Sequence, residues 1–474
     1  MNKFNLIYHK LKQEDLNCII IASSMEYIKF KKGSPYPEKR GGSTLHCVAK
    51  NKFILIGGGN RSKEFGDIWE LSILDNNECE WKQINIPLSA FTPRTGHTSS
   101  QVDESTIYIY GGQNFTENKH YNDFLKLDLD TNSLQRLNKS SGALNLNEPT
   151  ERNSSTLVYN NIDKQLLLFG GADPQEPLRD LYVYDILLGK WTKVETKNGD
   201  EIKGLEMHTA HFYSAASDLK KKKKKKGKSK KGSNIVNLDI GDFTKEVDSQ
   251  GQAIPHEAIM NIPKVNIEFD EKNAIVEDDN NDEIEEFPHG DEQSIQKQIL
   301  FNNLNDCKNK KVIGKEEQEE EQKNEDNKQG EQQKQKYMIV IGGRYLDQVK
   351  SEIYSLNLSN YEWKRIKDLP FEICAHTSTV VEDSIYIFGG TSGQEFYDKL
   401  YIFQLTNQKL YEFEITPQEK KQCMLTPRMA SAMSYDQESK KLYIFGGASI
   451  EDETTALISI NTNKINTSNR TKKI

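Results

Sequence analysis

Short apolar stretches that end in two glycines recur along this chain and organise its hydrophobic pattern. The clearest covers residues 107–112 and reads Ile-Tyr-Ile-Tyr-Gly-Gly. Five further stretches repeat this pattern, and the six glycine pairs end at Gly58, Gly112, Gly171, Gly343, Gly390 and Gly447. Short runs of β-branched and aromatic residues bounded by glycine predict buried strands. Their return at a spacing of roughly 50 residues is typical of a propeller or another repeat array.

Each glycine-pair strand belongs to a longer unit of four predicted strands. The first strand follows a loop containing arginine, such as Pro93-Arg94, and the glycine-pair strand is the second. The third opens on an acidic or polar residue before apolar ones, as in Asp67-Ile-Trp69, and the fourth carries a bulky residue. These bulky residues are Trp81, Leu134, Trp191, Trp363 and Tyr411. Short strands that alternate apolar and polar positions between turn residues predict an antiparallel meander.

The units resemble the kelch repeat, in which a glycine pair is followed by a spaced aromatic residue and then a tryptophan. The resemblance covers residues 15–215 and 336–465, and Leu134 and Tyr411 depart from it where the family has tryptophan. It implies an all-β fold, a kelch-type β-propeller with one four-stranded blade per repeat. The recurring side chains are expected to pack and brace the blades rather than to do chemistry; they are Trp81, Trp191, Trp363, Arg40, Arg94, Arg152, Arg428, His97 and His376.

An N-terminal strand is predicted to close the ring. Tyr27 precedes Arg40 by the same 13 positions that separate Trp81 from Arg94. Residues 26–30 are therefore placed as the last strand of a blade whose other strands come from the C-terminal repeat, which leaves no free sheet edge between the termini. The prediction is six blades closed in this way. The alternative is a seventh, incomplete blade that uses residues 17–22 and 463–467 as strands.

Composition changes sharply inside the fourth unit. Roughly 120 residues separate its predicted first strand, residues 207–212, from its second, residues 337–343. This insertion has few aromatic residues, so it cannot bury enough apolar surface to offset the entropy of ordering, and it is predicted to be disordered. The predicted domains are an N-terminal extension (1–14), the first part of the propeller (15–215), the insertion (216–335), the second part of the propeller (336–465) and a tail (466–474).

A lysine block opens the insertion, before acidic and glutamine-rich stretches. It comprises Lys220, Lys221, Lys222, Lys223, Lys224, Lys225 and Lys226, with more lysines up to Lys231. It has three interpretations: a charge run neutralised by its acidic neighbours, a docking element for an acidic protein surface such as a tubulin tail, or a nuclear-import or nucleic-acid patch. The absence of interleaved aromatics argues against a base-stacking platform, so no specific nucleic acid is expected.

Overall charge and cysteine usage limit the partners and the cellular location that can be expected for the protein. The net charge of −8 gives no general attraction to nucleic acid or to an anionic membrane. None of the six cysteines forms a C-x-x-C pair, so free thiols in a reducing compartment are expected. The N-terminus lacks the pattern of a signal peptide, and no apolar run approaches the roughly 18–20 residues that span a bilayer. The expected location is cytoplasmic, with the cytoskeleton or a cilium as a family-based extension.

No motif predicts an active site, a metal site or a cofactor. Residues 57–59 are glycines, but they match neither phosphate-binding glycine pattern. His208 and His211 are three positions apart, and on a strand they would point to opposite faces, which disfavours a shared metal. The chain is therefore predicted not to be an enzyme.

The predicted function is a non-catalytic scaffold that binds other proteins through the loops that follow its glycine pairs. The candidate contact residues are Asn60, Arg61, Gln113, Asn114, Asp173, Arg344, Tyr345, Thr391 and Ser392, with the lysine block as a second attachment point. The family resemblance points to a cytoskeletal or ciliary complex. The alternatives are a substrate adaptor of a ubiquitin ligase and an enzyme that uses the central channel.

Overall fold

Six antiparallel sheets follow one another along the chain, and each contains one of the glycine-pair strands. The computed structural model describes residues 24–87, 90–138, 147–215, 335–467 and 470–474. The sheets are the blades of a six-bladed β-propeller, as the repeat pattern predicts. The possible strand at residues 17–22, the lysine block and almost all of the predicted insertion lie outside the described residues.

Within each blade, the strands are ordered along the sequence from the centre of the ring to its rim. Two short strands come first, β1 (Met25–Tyr27) and β2 (Lys29–Phe30). Blade 1 contains β3 (Thr44–Ala49), β4 (Lys52–Ile56), β5 (Ile68–Ile73) and β6 (Glu78–Ile84). Blade 2 contains β7 (Thr98–Gln101), β8 (Thr106–Tyr110), β11 (Phe124–Asp128) and β12 (Ser133–Arg136), with a hairpin of β9 (Gln113–Asn114) and β10 (Lys119–His120) in its loop. Blade 3 contains β13 (Thr156–Asn160), β14 (Gln165–Phe169), β15 (Leu181–Asp185) and β16 (Lys190–Val194).

The second half of the ring repeats this order. A short 3₁₀ helix (Gly199–Glu201) precedes blade 4, which contains β17 (Thr209–Ala215), β18 (Gln335–Ile341), β21 (Glu352–Asn357) and β22 (Glu362–Asp368), with a hairpin of β19 (Arg344–Tyr345) and β20 (Gln348–Val349). Blade 5 contains β23 (Thr377–Val381), β24 (Ser384–Phe388), β25 (Leu400–Gln404) and β26 (Lys409–Phe413). Helix α1 (Pro417–Gln422) follows, then β27 (Ala432–Asp436), β28 (Lys441–Phe445) and β29 (Leu457–Asn461) of blade 6, helix α2 (Thr462–Thr467) and β30 (Thr471–Lys473).

The ring closes through blade 6, as predicted, with strands from both ends of the chain. β1 pairs antiparallel with β29, so that Met25 lies opposite Ile460. The single closing strand predicted over residues 26–30 is wrong in detail, because the chain crosses there from one blade to the next. The Ile28 amide donates to Leu457 in blade 6, and the Lys29 amide donates to Asn77 in blade 1. β2 then runs parallel to β6.

The C-terminal residues also differ from the seventh-blade alternative. Residues 463–467, considered there as a strand, form helix α2, and the Asn461 side chain accepts the Lys464 amide at 3.1 Å as a helix cap. β30 then pairs with the outer strand β26 of blade 5, which makes that sheet five-stranded. The six glycine-pair strands thus account for all the blades formed by the described residues.

The tryptophans pack between blades, as expected. Trp81, Trp191 and Trp363 are all buried. Trp81 of blade 1 lies against Phe445 of blade 6, with ring centroids 5.1 Å apart. Trp363 of blade 4 lies against Phe169 of blade 3 in the same manner, at 5.0 Å. Because each such ring buries on the order of 150–250 Å², these contacts bind neighbouring blades together.

Buried arginines brace the loops at the glycine pairs. Arg94 Nη1 donates to the Gly111 carbonyl at 3.1 Å, and Nη2 donates to Asp123 at 2.8 Å. Arg40 pairs in the same way with Asp67, and Arg152 pairs with Asp180. The glycines allow this close approach: Gly111 has φ 65°, and a Cβ there would lie 2.4 Å from the Arg152 carbonyl of the next blade.

Two faces of the ring follow from this topology. The loops after the glycine pairs join second to third strands and share one face with the loops that lead into each blade; we call this the glycine-pair face. The turns between first and second strands, and between third and fourth strands, lie on the opposite face. The chain between β17 and β18 of blade 4, which contains the insertion, therefore leaves from the opposite face.

Candidate functional site

Six backbone hydrogen bonds form a closed ring around the mouth of the central channel on the glycine-pair face. One residue from the loop leading into each blade takes part, and its amide donates to the equivalent carbonyl of the preceding blade over 2.7 to 3.2 Å. The residues of this mouth ring are Gly42, Gly96, Ser154, Met207, Ala375 and Ala430. All six have positive φ, between 50° and 63°.

A cavity of about 660 Å³ lies on the mouth ring, and residues from several blades line it. Its floor is formed by the mouth ring, so small side chains and backbone dominate there. Its rim is formed by loops of blades 1, 2 and 6, which contribute Asn60, Arg61, Glu64, Phe115 and Glu453 among others. An open, concave site with a few polar groups is the usual form of a ligand or peptide site.

Polar contacts between the loops fix the shape of this rim. Arg61 donates to the carbonyls of Ser449, Ile450 and Glu451, which joins the loops of blades 1 and 6. Glu64 accepts the Phe115 amide at 3.0 Å, which joins the loops of blades 1 and 2. The loops therefore support one another, and the rim is built before any ligand arrives.

Below the mouth ring, three buried histidines contact threonines of neighbouring first strands. The Nε2 atoms of His97, His208 and His376 lie 2.8 to 3.2 Å from threonine hydroxyls. Burial lowers the pKa of each imidazole to about 3, so all three are neutral at pH 7. An imidazole with so low a pKa is a weak proton acceptor. This layer is therefore suited to packing rather than to general base catalysis.

His208 and His211 point to different neighbours, as the strand prediction requires. His208 Nε2 contacts Thr156 Oγ1 in blade 3 at 3.0 Å, whereas His211 Nε2 contacts Ser378 Oγ in blade 5 at 2.7 Å. Among the described residues, no group of three or more His, Cys, Asp or Glu side chains is arranged to hold a metal ion. No helix within the described ranges is long and apolar enough to cross a bilayer.

Three of the residues predicted from sequence to contact a partner line the cavity. They are Asn60, Arg61 and Gln113. Asn60 also shapes its own loop, because its Oδ1 accepts the amides of Ser62 and Lys63. These side chains present polar groups at the rim next to the exposed backbone of the glycine loops.

The other predicted residues in blades 2, 3 and 5 hold their loops in shape. Asn114 is 4% exposed and donates to the Pro93 carbonyl. Asp173 accepts the amides of Gln175 and Glu176. Buried Thr391 and the neighbouring Ser392 make similar turn contacts, in which Ser392 Oγ accepts the Glu395 amide at 3.1 Å. The structure thus places these four residues in loop-forming contacts on the glycine-pair face, away from the cavity lining.

The predicted residues of blade 4 occupy the β19–β20 hairpin. Arg344 Nη2 donates to Glu206 at 2.8 Å, which fastens this loop to the loop leading into the blade. Tyr345 is half-buried, and the Lys203 ammonium lies 5.4 Å from its ring centroid. The seven lysines at 220–226 lie outside the described residues.

The sequence prediction missed the exposed apolar residues at the loop tips. Phe115, Leu346 and Ile450 are 68%, 54% and 71% exposed. Each stands three positions after its glycine pair, in blades 2, 4 and 6. A large apolar residue within a polar turn was the available signal. Phe115 and Leu346 lie one position beyond loop residues that the prediction named, whereas it named none in the loop of Ile450.

Comparisons with known proteins agree with this architecture. Residues 10–145 match the family model of the KLHDC2/KLHL20/DRC7 kelch-repeats domain. An F-box/kelch-repeat protein of Arabidopsis thaliana is 35% identical over 101 residues, which cover 20% of this chain and 21% of that protein. Kelch repeat-containing protein 2 of Saccharomyces cerevisiae is 26% identical over 164 residues, covering 33% of this chain and 18% of that protein.

A further match is to the alpha chain of the flagellar outer arm dynein of Chlamydomonas reinhardtii, 30% identical over 101 residues. These residues cover 20% of this chain but only 2% of the dynein chain. The matches to the first two relatives span about a fifth of each relative's length. Taken with the glycine pairs, the blade tryptophans and the closed ring of six blades, they agree with a six-bladed β-propeller of kelch type, in which residues 10–145 match a kelch-repeats domain.

Proposed function

We propose that this protein is a non-catalytic interaction scaffold that binds a partner protein through the glycine-pair face. The observation that carries the proposal is the cavity on the mouth ring, with Phe115 in its lining and the exposed Ile450 in a rim loop. Exposed apolar residues rimmed by polar ones are typical of protein interaction sites. The neutral, buried histidines beneath offer no reactive group in competition with this role.

The rim favours a peptide or loop of the partner over a flat surface. Its loops are fixed by Arg61 and Glu64, so binding need not order them first, and little conformational entropy is lost. Polar groups on Asn60 and Gln113 can hydrogen-bond a backbone that enters the cavity. A partner segment fits this site when its apolar side chain packs on the apolar residues of the rim and its backbone hydrogen-bonds to the polar groups.

The test compares three forms of the full-length protein in quantitative affinity purification from its own cells. The double variant F115S/I450S is expected to recover at least about tenfold less partner than the wild type, because two exposed apolar anchors are removed. The control D130S changes an exposed residue in the β11–β12 turn on the opposite face and is expected to keep that partner. An unchanged set of bound proteins in F115S/I450S would refute the assignment of this face.

A cytoskeletal or ciliary complex is the setting we propose for this scaffold, with a cytoplasmic location. The similarity to a flagellar dynein chain supports it, and the block from Lys220 to Lys226 offers positive charge for acidic surfaces such as tubulin tails. Co-sedimentation of the full chain with microtubules tests this setting. Replacing the seven lysines with glutamine, or removing the acidic tails of tubulin, should each weaken binding; equal binding in all cases would contradict this part of the proposal.

A substrate adaptor of a ubiquitin ligase is the second candidate, supported by similarity to an F-box/kelch-repeat protein. The same purification distinguishes the two, since an adaptor would bring ligase subunits with it. The non-catalytic part of the proposal has its own test in metal analysis of the purified chain. A stoichiometric transition metal would favour an enzyme.

A further inference from the structure

Blade 3 exposes an apolar patch on the face opposite the cavity. Leu187 and Leu188 are 83% and 77% exposed, and Ile162 is 46% exposed. The two leucines are the most exposed large hydrophobic side chains of the described residues. They do not line the cavity on the glycine-pair face.

The three residues belong to two adjacent turns. Ile162 lies in the turn between β13 and β14, and the leucines lie in the turn between β15 and β16. β14 and β15 are paired neighbours, and the Ile186 amide donates to the Lys164 carbonyl at 3.2 Å, which ties the turns together. The patch is therefore one surface held by the end of a sheet.

The leucine side chains do not shape their turn. Asp185 Oδ1 accepts the amides of Leu187 and Leu188 at 3.0 and 2.9 Å, and Gly189 supplies the positive φ that follows. Other blades build the same turn with exposed polar pairs. The equivalent positions are Asp130-Thr131 in blade 2, Ser359-Asn360 in blade 4 and Thr406-Asn407 in blade 5. The exposed leucines are thus a feature added to blade 3 and not a requirement of the fold.

Charge around the patch indicates what would cover it. An exposed lysine lies beside the apolar residues of each turn, Lys164 within the first turn and Lys190 at the start of β16. Neither lysine belongs to an ion pair within the part of the chain that the structure describes, whereas Asp163 in the same region is paired with Lys336. A partner with carboxylates beside apolar side chains matches these two turns.

The neighbouring blade limits how such a partner can lie. Val102 of blade 2 packs in the same cluster as Ile186, and the exposed Asp103 and Glu104 follow it directly. These carboxylates repel an acidic partner on the blade 2 side, so its acidic residues are directed toward Lys164 and Lys190.

The size of the patch favours a single helix over a second copy of the chain. Stable protein–protein interfaces bury about 800 Å² on each partner, whereas three partly exposed side chains offer an area on the order of a few hundred Å². An amphipathic helix needs only a small apolar surface for two or three of its side chains.

We propose that the tips of blade 3, formed by Ile162, Leu187 and Leu188 with Lys164 and Lys190, are a second docking site that binds an acidic amphipathic helix of a partner protein. The site lies on the opposite face from the cavity. This proposal can therefore be tested independently of the binding proposed for the glycine-pair face.

The test uses the purified full chain and two labelled helical peptides, measured by fluorescence anisotropy. One peptide combines leucine and alanine with glutamate, and the other has lysine in place of glutamate. The variant L187S/L188N gives blade 3 the residue pair of blade 4, so the turn is retained while the apolar surface is lost. The matched control T406A/N407A changes the same turn in blade 5.

The acidic peptide should bind the wild type and the control equally and should bind L187S/L188N about tenfold more weakly or worse. It should also bind the wild type more tightly than the lysine peptide does. Because the lysine block is present in every variant, attraction to it cannot produce the difference between them. Equal binding to wild type and L187S/L188N would overturn the proposal, as would tighter binding of the lysine peptide.

A photo-crosslinking amino acid in place of Leu188 tests the competing occupants. With the purified protein alone, we expect no crosslink from this position. A crosslink to a second copy would show a self-association site instead, and a crosslink within the same chain to residues 216–334 would show that the protein covers its own patch. Either product would overturn the assignment to a partner.

Discussion

The amide of Gly42 donates a hydrogen bond to the carbonyl of Ala430 over 2.8 Å, and this contact joins blade 1 to blade 6. It completes the mouth ring, in which each blade bonds to the one before it. The left-handed backbone conformation is needed at all six positions, although only two of them are glycines. The other four residues hold a conformation that costs L-amino acids roughly 1–2 kcal/mol each.

This strain predicts that Ala430→Gly stabilises the protein. Ala430 has φ 54°, so glycine removes the strain while its greater freedom in the unfolded chain takes part of the gain away. The expected rise in the free energy of unfolding is about 0.5–1 kcal/mol, measured by urea denaturation. Ala432→Gly, in strand β27, serves as the control and should lower it by about 1 kcal/mol. A loss of stability in A430G similar to that in A432G would show that the ring does not strain its residues.

The buried pair of Arg94 and Asp123 should be costly to break from one side. Asp123→Ala leaves the Arg94 guanidinium, which is 1% exposed, without its carboxylate. The expected loss is about 3–5 kcal/mol in urea denaturation. The exposed pair of Lys31 and Glu80 provides the control, since Glu80→Ala should cost less than about 1 kcal/mol. Similar losses in the two variants would contradict the bracing role of the arginine.

Blade 6 lacks the carboxylate that blades 1 to 3 supply to their arginines. Arg428 is buried and donates to the carbonyls of Gly446 and Met424, while Ala456 occupies the position that Asp123 holds in blade 2. Burial lowers the pKa of Arg428 to about 10, as expected for a cation without a close counter-charge.

Ala456→Asp should therefore stabilise the protein at neutral pH. A hydrogen bond to a charged partner contributes about 1.5–3 kcal/mol, and thermal unfolding would measure the gain. Ala456→Asn has nearly the same shape without the charge and is expected to gain much less. If both variants were destabilised, Met424 and its neighbours would already fill the space.

Glu419 links the two ends of the chain beside the ring closure. It accepts from Arg470, which precedes β30, and from Ser24, which precedes β1. Burial raises the pKa of this carboxyl, but hydrogen bonds from Arg470 and Thr416 outweigh burial and hold the pKa at about 2, below its ordinary 4.5.

A lowered pKa in the folded state means that the unfolded chain binds the proton more readily. Glu419 therefore contributes stability that is fully present above pH 4.5 and is lost as the pH falls toward 2. Glu419→Gln should reduce the free energy of unfolding by up to about 3 kcal/mol at pH 7 and flatten its decline between pH 4.5 and 2. Urea denaturation across this range would measure both effects. An unchanged slope would exclude Glu419 as the titrating group.

The features that repeat along the chain were the ones that sequence could predict. Gly112, Trp81 and Arg94 recur in register, and each reports a local requirement of one blade: a left-handed turn, a buried ring or a braced loop. Six blades and closure by the N-terminal strand followed from that register. The crossing at Ile28 could not be seen, because one residue there separates bonds to two different sheets.

The candidate site was less predictable, because polar loop residues can serve either to bind a partner or to shape their own loops. Loop topology placed Asn60, Arg61 and Gln113 at the cavity, but Asn114 and Thr391 turned inward to satisfy amides and carbonyls of their own loops. Polar residues in tight turns have this alternative use, and composition does not reveal which use prevails. Exposed apolar residues in turns, such as Phe115 at the cavity and Leu187 on blade 3, indicate a binding surface more strongly, since an apolar side chain has no hydrogen bond to make in a turn.

The pairing of β1 with β29 also means that the ring can close only late in the synthesis of the chain. About 430 residues separate Tyr27 from its opposite number, Ile458. At a translation rate of about 5–20 residues per second, the ribosome needs roughly 20 to 90 seconds to make this stretch. For all that time β1 has no partner strand and is exposed to chaperones and to neighbouring nascent chains, until β29 of the last blade is made.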